Sequence, residues 1–587
     1  MRTLRLLTLT CLLPLAAFAQ SQPQTAAPPV AIDVENNVPV KMRDGIVLRA
    51  DVYRPADDGR YPVLLTRSPY NKVNESGTCR KAAQRGYVCI AQDVRGRFAS
   101  DGDWYTFRNE PNDGYDTVEW AAALPNSDGR VAMFGGSYVG ATQWLAAVAR
   151  PPHLVAIQPT VTASNYHDGW AYQGGALEQW FDESWTTGLA ADTLRRAAES
   201  SKVKDLVPTL PLSSYPVLQV SKPAGLVPYY FDWLAHPDYD AYWKQWSIEE
   251  HYSGIAVASF GIGGWYDIFI RGTLRNYAGM RAHAATPWAR EHQYLLIGPW
   301  FHGPMTGQAG EVDFGSAGAL DRDTMLNWYD QLLKGAPPGK VQQRPVKIFV
   351  MGVNQWREED DWPLARARST RYYLHGGGHA NSSSGDGALT SSSPRNEPAD
   401  AFTYDPANPV PTHGGNLCCP NEQLPSGAFD QREVEKRNDV LVYTTLAFDK
   451  DFEVTGPLAA EIYISSSAQD TDVTAKLVDV WPNGFAQNLA DSIQRLPYRD
   501  SPEKPELIQP GTIYKVTIDL GATSNVFRAG HRLRIEISSS NFPHFDRNLN
   551  TAESPEQGSK FEKAENRIYH DAAHPSHLLL PVIPPEE

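Results

Sequence analysis

Short apolar runs separated by helix-like stretches make up the chain to about residue 370. Residues 61–66, 87–92 and 131–134 are runs of the kind that forms buried strands, and residues 324–334 have the spacing of an amphipathic helix. Alternation of such strands and helices is typical of a mostly parallel sheet covered on both faces. The pattern therefore predicts an α/β domain in which the strand at 131–134 is central.

The pattern changes between residues 163 and 252, where polar helix-like stretches are dense in tryptophan. Because this segment interrupts the alternation, we expect residues 30–162 and 253–370 to form the α/β domain and residues 163–252 to be a helical cap inserted in it. Large aromatic rings fill cores more often than they line sites. A cap over the sheet edge would still bring several rings to a bound molecule, which favours an apolar or aromatic ligand group.

Helix-like spacing disappears after residue 371. Residues 376–440 are rich in Gly, Ser, Asn and Pro and predict long loops, whereas residues 514–520 and 533–537 alternate strictly between apolar and polar side chains. Such strands bury one face only. We therefore expect residues 371–587 to form an all-β domain, a β-sandwich with jelly-roll topology.

The net charge of the chain indicates which binding partners to expect, and its first residues indicate the cellular compartment. The formal charge of the 587-residue chain is −15 at pH 7 with no basic stripe, which argues against a nucleic-acid partner. Arg2, Arg5, an apolar stretch and small residues at 17–19 have the form of a signal peptide spanning residues 1–19. We expect an exported protein, periplasmic or secreted. No later apolar run approaches the ~20 residues of a membrane helix, so we expect no membrane span.

Cysteine and histidine spacing indicates no metal centre. His375 and His379 are separated by three glycines, and the histidines near the C terminus have a proline among them and no carboxylate or cysteine pattern beside them. We therefore expect no metal and no other cofactor. Disulfides are compatible with export, but three pairings, or one local bridge beside free thiols, remain open for the cysteines after residue 19. These are Cys79, Cys89, Cys418 and Cys419.

Ser137 is the candidate nucleophile. It lies in the sequence Gly-Gly-Ser-Tyr-Val-Gly at 135–140, between the apolar run at 131–134 and a helix-like stretch that ends before Pro151. A sharp strand-to-helix turn of this kind exposes one side chain at the carboxyl edge of a sheet. Val139 stands where the strict Gly-x-Ser-x-Gly pattern has its second glycine.

Asp267 and His302 complete a candidate triad. A serine hydroxyl becomes a useful nucleophile when a base accepts its proton and a third group holds that base. In α/β-hydrolases the chain order is Ser, acid, His, each after a strand. Asp267 and His302 follow the apolar runs at 255–260 and 293–297, in loops rich in Gly and Trp. Asp168 is the alternative acid, although it lies at the start of the cap.

An oxyanion hole needs two hydrogen-bond donors. The backbone N–H of Tyr138, directly after the nucleophile, supplies one by the geometry of the turn. The other usually comes from the loop after the third strand, which here spans 66–72 and has no run of glycines. The phenol of Tyr70 could donate instead, or could simply pack in the core.

Six segments together resemble the cocaine esterase-like branch of the X-Pro dipeptidyl-peptidase family, which also contains the α-amino acid ester hydrolases. The resemblance implies an α/β-hydrolase domain with an inserted helical cap and a C-terminal jelly roll. It implies Ser137 as nucleophile, His302 as base and Asp267 as the acid that orients it, with Tyr70 and Tyr138 as the oxyanion hole. The matching segments are 67–72, 92–97, 135–140, 264–267, 298–303 and 569–577.

The resemblance also bears on the substrate. Amino acid ester hydrolases bind the substrate ammonium with carboxylates, including an acidic pair two and three residues after the triad aspartate, where this chain has Phe269 and Ile270. Burying an unpaired ammonium is costly. We therefore predict a serine esterase for a small-molecule ester with a bulky, uncharged acyl group. The residues predicted to bind that group are Phe269, Trp170, Trp185 and Trp265.

Three alternatives remain at this stage. The chain could be an α-amino acid ester hydrolase or acyltransferase, or an X-Pro dipeptidyl-peptidase-type acylase, whose cationic site uses other acids such as Glu178 or Asp182 in the cap. It could also be a secreted protein whose jelly roll binds carbohydrate and whose hydrolase domain is inert. The sequence leaves the oligomeric state open, a homo-oligomer included.

Overall fold

The computed structural model describes residues 30–194, 207–214, 227–337 and 342–585. The signal peptide predicted at residues 1–19 lies outside them. Within these described ranges, twenty-five strands and a smaller number of helices build two domains. The first fourteen strands are β1 (Ile32–Lys41), β2 (Val47–Pro55), β3 (Tyr61–Ser68), β4 (Val88–Asp93), β5 (Ser127–Gly136), β6 (Leu154–Thr160), β7 (Tyr172–Gln173), β8 (Ala176–Leu177), β9 (Ala258–Tyr266), β10 (Gln293–Phe301), β11 (Gln308–Ala309), β12 (Val312–Asp313), β13 (Val346–Val350) and β14 (Gln355–Glu359).

Ten of these strands form one sheet in the order β1-β2-β4-β3-β5-β6-β9-β10-β13-β14. The seven strands from β4 to β13 run parallel, and antiparallel strands close both edges. β5 lies in the middle, as predicted. The helices of this domain are Ser76–Gln84, Glu110–Ala122, Tyr138–Ala149, Ile270–His283, Pro287–Glu291 and Thr324–Lys334, with short 3-10 turns at Lys72–Glu75, Tyr252–Gly254 and Ser316–Gly318.

Side-chain alternation in β5 divides the core between the two faces of the sheet. Val131 and Met133 pack with the helices at 110–122 and 138–149, whereas Ala132 and Phe134 pack with the helices at 76–84 and 324–334. Strand side chains alternate between faces, so a strand covered on both sides is apolar throughout. This explains why the run at 131–134 carries no polar residue.

β9 continues six residues beyond the apolar run that predicted it. Residues 261–266, expected as a Gly/Trp loop, are strand, and β10 likewise extends to Phe301. A Cβ atom on Gly264 would lie 2.1 Å from the carbonyl oxygen of Trp300. Glycine is therefore used inside the strand because the ends of β9 and β10 approach closely at this point.

The segment between β6 and β9 covers the carboxyl edge of the sheet. Most of its described rings belong to one cluster with the sheet face that carries the helix Tyr138–Ala149, and Trp170, Trp233 and Trp243 in that cluster are fully buried. The helical elements described in this segment are Gln179–Leu194, Leu212–Ser214, Pro228–Ala235 and Ala241–Lys244.

The C-terminal region is all-β. The alternating positions of β22 bury Val516, Ile518 and Leu520, as the sequence pattern predicts. Its strands join one sheet in the order β17-β24-β19-β25-β15-β16-β18-β23-β20-β21, with β22 paired to β19. They are β15 (Arg368–His375), β16 (Ala388–Thr390), β17 (Asp400–Tyr404), β18 (Leu441–Thr444), β19 (Phe452–Ser466), β20 (Asp472–Val480), β21 (Ala486–Arg495), β22 (Tyr514–Phe527), β23 (Arg532–Ser538), β24 (Ala564–Tyr569) and β25 (His577–Ile583), with 3-10 turns at Gln431–Lys436 and Leu496–Tyr498.

The cysteines are divided between a disulfide and free thiols. Cys79, in the helix that packs on β4, is bonded to Cys89 in that strand, and both residues are fully buried. Cys418 and Cys419 are free. Of the helices within the described ranges, none combines the length and the apolar character that crossing a membrane requires.

Candidate active site

Ser137 lies on a sharp turn between β5 and the following helix. Its backbone has φ 60° and ψ −127°, in the positive-φ region that non-glycine residues rarely adopt. The Ser137 N–H donates to the carbonyl of Thr160 on neighbouring β6, at 2.9 Å, which holds the turn. Val139 packs onto Gly135, where a Cβ atom would lie 2.2 Å from Val139 Cγ1. The turn thus needs glycine at 135 and tolerates valine at 139.

Ser137, His302 and Asp267 form a continuous hydrogen-bonded chain. His302 Nε2 lies 3.1 Å from Ser137 Oγ, and His302 Nδ1 lies 2.8 Å from Asp267 Oδ2. The other oxygen of Asp267 accepts the backbone N–H of Phe269 at 2.7 Å. Asp267 and His302 follow the neighbouring parallel strands β9 and β10, so both reach the sheet edge at which β5 presents Ser137.

Burial and charge act in opposite directions on His302. Removal from water alone would lower the pKa of the imidazole, but the charge and hydrogen bond of Asp267 outweigh burial and raise the pKa above 6.5. The fully buried carboxylate therefore favours the imidazolium form. A base that is stabilised once it has taken a proton is what proton transfer from Ser137 requires.

Asp168 is engaged elsewhere. Its carboxylate accepts from Arg275 Nη1 at 2.7 Å, and Arg275 also contacts Glu249 and Asp519. Burial would raise the pKa of Asp168, yet the guanidinium of Arg275 lowers it to about 2. The acid that meets His302 is Asp267, and Asp168 belongs to an ion-pair network.

Two hydrogen-bond donors are close to Ser137, the backbone N–H of Tyr138 and the hydroxyl of Tyr70. Tyr138 is the first residue of its helix, so its N–H has no acceptor within the helix. The Tyr70 hydroxyl interacts electrostatically with Ser137 and accepts from Trp185 Nε1 at 2.9 Å. Burial raises the pKa of Tyr70 well above its ordinary value, which keeps the phenol protonated. With Trp185 as its donor, Tyr70 retains its own proton for another acceptor.

The loop after β3 is held in place by hydrogen bonds. The Tyr70 N–H donates to Ser68 Oγ at 3.0 Å, and Arg97 Nε donates to the carbonyl of Pro69 at 2.9 Å. Lys72, next along the loop, forms a buried ion pair with Asp93 at 3.1 Å. These contacts fix the position of the Tyr70 ring without a glycine-rich backbone.

An aromatic wall adjoins the triad. Phe269 presents its ring to His302, with centroids 5.2 Å apart at 84°, and stacks on Trp170 at 4.7 Å. Trp185 meets Trp170 edge-on at 5.6 Å and stacks over the Tyr138 ring at 5.9 Å. These rings are buried. A carboxylate contacts one of them, since Glu110 accepts from the Tyr138 hydroxyl at 3.2 Å, and Glu110 is already paired with Arg67 at 2.7 Å. The wall offers an apolar surface beside the nucleophile.

Comparison with known proteins places the chain in a family. Residues 44–304 match the family described as X-Pro dipeptidyl-peptidase (S15 family), and residues 339–579 match the X-Pro dipeptidyl-peptidase C-terminal non-catalytic domain. Cocaine esterase from Rhodococcus sp. (strain MB1 Bresler) is 40% identical over 579 residues, which span 94% of this chain and 98% of that protein. The chain belongs to the cocaine esterase-like branch of the X-Pro dipeptidyl-peptidase family. It is therefore a hydrolase of that family.

Two solved structures share the fold of this chain. An aminopeptidase from a marine sediment Thaumarchaeota archaeon superposes with a TM-score of 0.82 at 24% identity, covering 96% of this chain and 99% of that one. An α-amino acid ester hydrolase superposes with a TM-score of 0.78, also at 24% identity, covering 97% and 100%. The predicted fold class, an α/β-hydrolase domain with a cap and a C-terminal all-β domain, is confirmed.

The cap carboxylates of this family member do not form an open anionic site. Glu178 pairs with His544 of the all-β domain at 3.1 Å, and His544 also contacts Asp491. Both carboxyl oxygens of Asp182 lack a hydrogen-bond partner among the described residues. Burial, with Glu178 and Glu183 nearby, raises the pKa of Asp182 well above its ordinary value. Burial therefore disfavours the charged form of Asp182, and Glu178 already has a cationic partner.

One predicted substrate-binding residue is wrong. Trp265 is fully buried, donates from Nε1 to the carbonyl of Phe349 in β13 at 2.7 Å, and packs against Trp362. It belongs to the core that joins the main sheet to the all-β domain. Its place in sequence, two residues before Asp267, does not bring its side chain to the aromatic wall.

Two features near the triad were missed by sequence reasoning. Trp185, predicted as part of the pocket, is also the hydrogen-bond donor that orients Tyr70. Cys418 and Cys419 come from the all-β domain, yet both interact electrostatically with Tyr70. No local signal links a loop around residue 418 to Ser137, because the contact exists only once the two domains have docked.

Proposed function

We propose that this family member is an exported serine esterase that cleaves carboxylic esters with a bulky, uncharged and preferably aromatic acyl group through an acyl-Ser137 intermediate. The observation that carries the proposal is the Asp267–His302–Ser137 hydrogen-bonded chain, bordered by Phe269 and Trp170. Similarity to a cocaine esterase over 94% of the chain supports ester substrates.

In the first half-reaction Ser137 Oγ attacks the ester carbonyl while His302 Nε2 accepts the hydroxyl proton. Asp267 keeps the His302 Nδ1 proton in place and stabilises the imidazolium that forms. The negative charge on the former carbonyl oxygen develops where the Tyr70 hydroxyl and the Tyr138 N–H can donate to it. His302 then returns its proton to the leaving alcohol.

In the second half-reaction a water molecule replaces the alcohol. His302 takes a proton from that water, the hydroxide attacks the acyl carbon, and the same two donors meet the oxyanion. Collapse of the tetrahedral species releases the carboxylic acid and returns the proton to Ser137. These steps use side chains and one backbone N–H of this chain together with water, so the proposal calls for no cofactor.

The preference for an aromatic acyl group follows from the aromatic wall beside the triad. An aromatic ring placed beside Phe269 and Trp170 gains burial and ring contacts, worth about 0.5–1.5 kcal/mol for each aromatic pair beyond the area buried. An ammonium at the same place would leave water without an anion to meet it. Burial disfavours the charged form of Asp182, and Glu178 is paired with His544, so we expect neither to offset that cost.

A pair of esters tests the proposal directly. We would compare kcat/KM at pH 7 for p-nitrophenyl phenylacetate and for the same ester with an α-amino group, which is mostly protonated at that pH. The proposal predicts that the neutral ester is preferred by about tenfold or more, which corresponds to about 1.4 kcal/mol. The Asp182→Asn variant serves as a control and should keep this ratio, because burial already disfavours the charged carboxylate. Faster turnover of the amino ester would move the assignment to the amino-ester branch.

Export is a separate part of the proposal. It rests on the signal-peptide pattern in residues 1–19, and cleavage after Ala19 would leave Gln20 as the first residue. N-terminal sequencing of the protein from a periplasmic or culture fraction should begin at Gln20. Recovery of the intact N terminus from the cytoplasm would contradict export and leave the esterase proposal intact.

A further inference from the structure

Two adjacent cysteines of the all-β domain extend towards the triad. Cys418 and Cys419 lie in the long connection between β17 and β18, and their sulfur atoms are 2.8 Å apart. Both thiols are free; Cys418 is buried and Cys419 is half-buried. They differ in this respect from Cys79 and Cys89, which are already joined.

The pair lies between the cap and the catalytic residues. Trp180 Nε1, on the cap helix Gln179–Leu194, donates to the Cys419 carbonyl at 3.2 Å, and Ser184 of the same helix interacts with the Cys419 thiol. Cys419 also interacts electrostatically with His302, and Cys418 with Asp267. Cys418 belongs to the hydrophobic cluster that contains Trp170, Trp185 and Phe269.

The two thiols are chemically unequal. The hydrogen bond from Cys418, together with the nearby His302, lowers the pKa of Cys419 despite its burial. Burial raises the pKa of Cys418 well above its ordinary value. Cys419 is thus the more acidic thiol, on the more exposed residue, and Cys418 is the less acidic thiol in contact with it. Thiol–disulfide exchange needs one attacking thiolate and one thiol that resolves the intermediate.

We propose that Cys418 and Cys419 are a reversible dithiol site, oxidised by small-molecule disulfides to a bond between adjacent residues, and that closing this bond changes the acyl wall beside the triad. The oxidation chemistry is independent of the proposed function. Only its effect on turnover rests on the esterase activity.

The reaction balances with a disulfide RSSR as the oxidant. The Cys419 thiolate attacks one sulfur of RSSR, forms a mixed disulfide and releases one thiolate RS⁻. Cys418 then gives up its proton and attacks the Cys419 sulfur, which releases the second RS⁻. The two protein thiols are oxidised, RSSR is reduced to two RSH, and the two protons end on the released thiols.

The bond should be easy to reduce again. Adjacent Cα atoms are about 3.8 Å apart across a trans peptide, whereas disulfides usually span about 4.4–6.8 Å between Cα atoms. A bond forced into the shorter span is strained, and strained disulfides are the labile ones. Cys79 and Cys89 have no exposed surface, so a mild reductant reaches them poorly.

Forming the bond between Cys418 and Cys419 should alter hydrolysis because the residues around the pair are tightly packed. The sulfur atoms must move from 2.8 Å to about 2.05 Å apart, and the ionisable Cys419 thiol beside His302 is lost. Trp180 and Ser184 hold Cys419 from the cap side. Phe269 and Trp185 share a cluster with Cys418, so movement of the pair is transmitted to the rings that we assign to the acyl group.

The test combines mass and rate measurements on the full chain. Reduced protein is incubated with oxidised glutathione, and the peptide that carries both cysteines is weighed. We expect it to lose the mass of two hydrogens and to carry no glutathione. At the same time kcat/KM for p-nitrophenyl phenylacetate should fall about tenfold relative to p-nitrophenyl acetate, the size of a one-methylene misfit in an apolar pocket. Mild dithiothreitol should restore both values.

Two variants serve as matched controls, each compared with its own reduced form. Cys418→Ser should retain one glutathione, because the resolving thiol is gone, and Cys418→Ser with Cys419→Ser should show neither mass change nor rate response. A wild-type peptide that keeps both hydrogens would overturn the redox site. Mass loss with an unchanged ester ratio would overturn its link to the acyl wall. If the reduced protein hydrolyses neither ester, the proposed function fails, and the mass result still decides whether the dithiol reacts.

Discussion

Replacing Tyr70 by phenylalanine removes a single oxygen next to the nucleophile. That hydroxyl accepts from Trp185 Nε1 at 2.9 Å and interacts electrostatically with Ser137. If its proton meets the oxyanion, the substitution leaves only the Tyr138 N–H to stabilise the developing charge. The ring itself remains and continues to fill its place between the cap and β3.

The substitution should lower kcat strongly and change KM little. Removing one oxyanion donor costs about 10²–10³ in kcat, or about 2.7–4 kcal/mol of transition-state stabilisation. Because the donor acts mainly after charge develops, kcat and kcat/KM should fall together. Trp185 Nε1 also loses its acceptor in this variant, and one unpaired buried donor costs about 1–3 kcal/mol of folding stability. The protein should therefore remain folded with a lower Tm.

Steady-state hydrolysis of p-nitrophenyl phenylacetate, with Tm recorded for each variant, is the assay. Trp185→Phe is the matched control, since it removes the donor that orients Tyr70 and keeps the hydroxyl. We expect kcat of this variant to fall by about tenfold or less, because Trp185 contacts Tyr70 and does not itself donate to the oxyanion. If Tyr70→Phe keeps kcat within about threefold of wild type, the Tyr70 hydroxyl is not an oxyanion donor, and the reasoning from its contacts fails.

The remaining contacts predict three further outcomes. Since His302 must be neutral to accept a proton and Asp267 raises its pKa, kcat/KM should fall with decreasing pH around a midpoint above 6.5; a midpoint below 6.5 would contradict this. Phe269→Leu should lower kcat/KM for phenylacetyl relative to acetyl esters by about tenfold, and an unchanged ratio would remove Phe269 from the acyl site. Neighbouring carboxylates raise the pKa of His544 from 6.5 to about 9, so its charge adds about 3 kcal/mol of stability. That contribution is complete below pH 6.5 and is lost as the pH rises through 9. In urea unfolding, the difference in free energy of unfolding between wild type and His544→Gln should therefore shrink over that range. A difference that stays constant with pH would contradict this.

The main sheet and the turn at Ser137 could be predicted because their causes are local. Buried parallel strands must be apolar on both faces, which makes 131–134 conspicuous, and the positive φ at Ser137 needs small neighbours such as Gly135. Parallel strands present their carboxyl ends at one edge. The order of these residues along the chain was therefore enough to predict that Asp267 and His302 lie near Ser137. In the structure His302 is hydrogen-bonded to both Ser137 and Asp267.

The residues that were misplaced or missed depend on contacts between domains. Trp265 lies two residues before Asp267, and sequence spacing does not indicate that its ring turns into the core towards Phe349. The hydrogen bond from Trp185 to Tyr70 requires the cap helix to dock on the loop after β3. The position of Cys419 near His302 requires the all-β domain to dock as well.

Labelling of Ser137 tests the central claim most directly. Wild-type protein would be treated with a fluorophosphonate, and the modified residue identified by peptide mass while hydrolysis of p-nitrophenyl phenylacetate is followed. The account predicts one phosphonyl group per chain, on Ser137, with activity lost in proportion to labelling, and neither labelling nor activity in Ser137→Ala. Label on another residue, or hydrolysis that persists in Ser137→Ala, would contradict it.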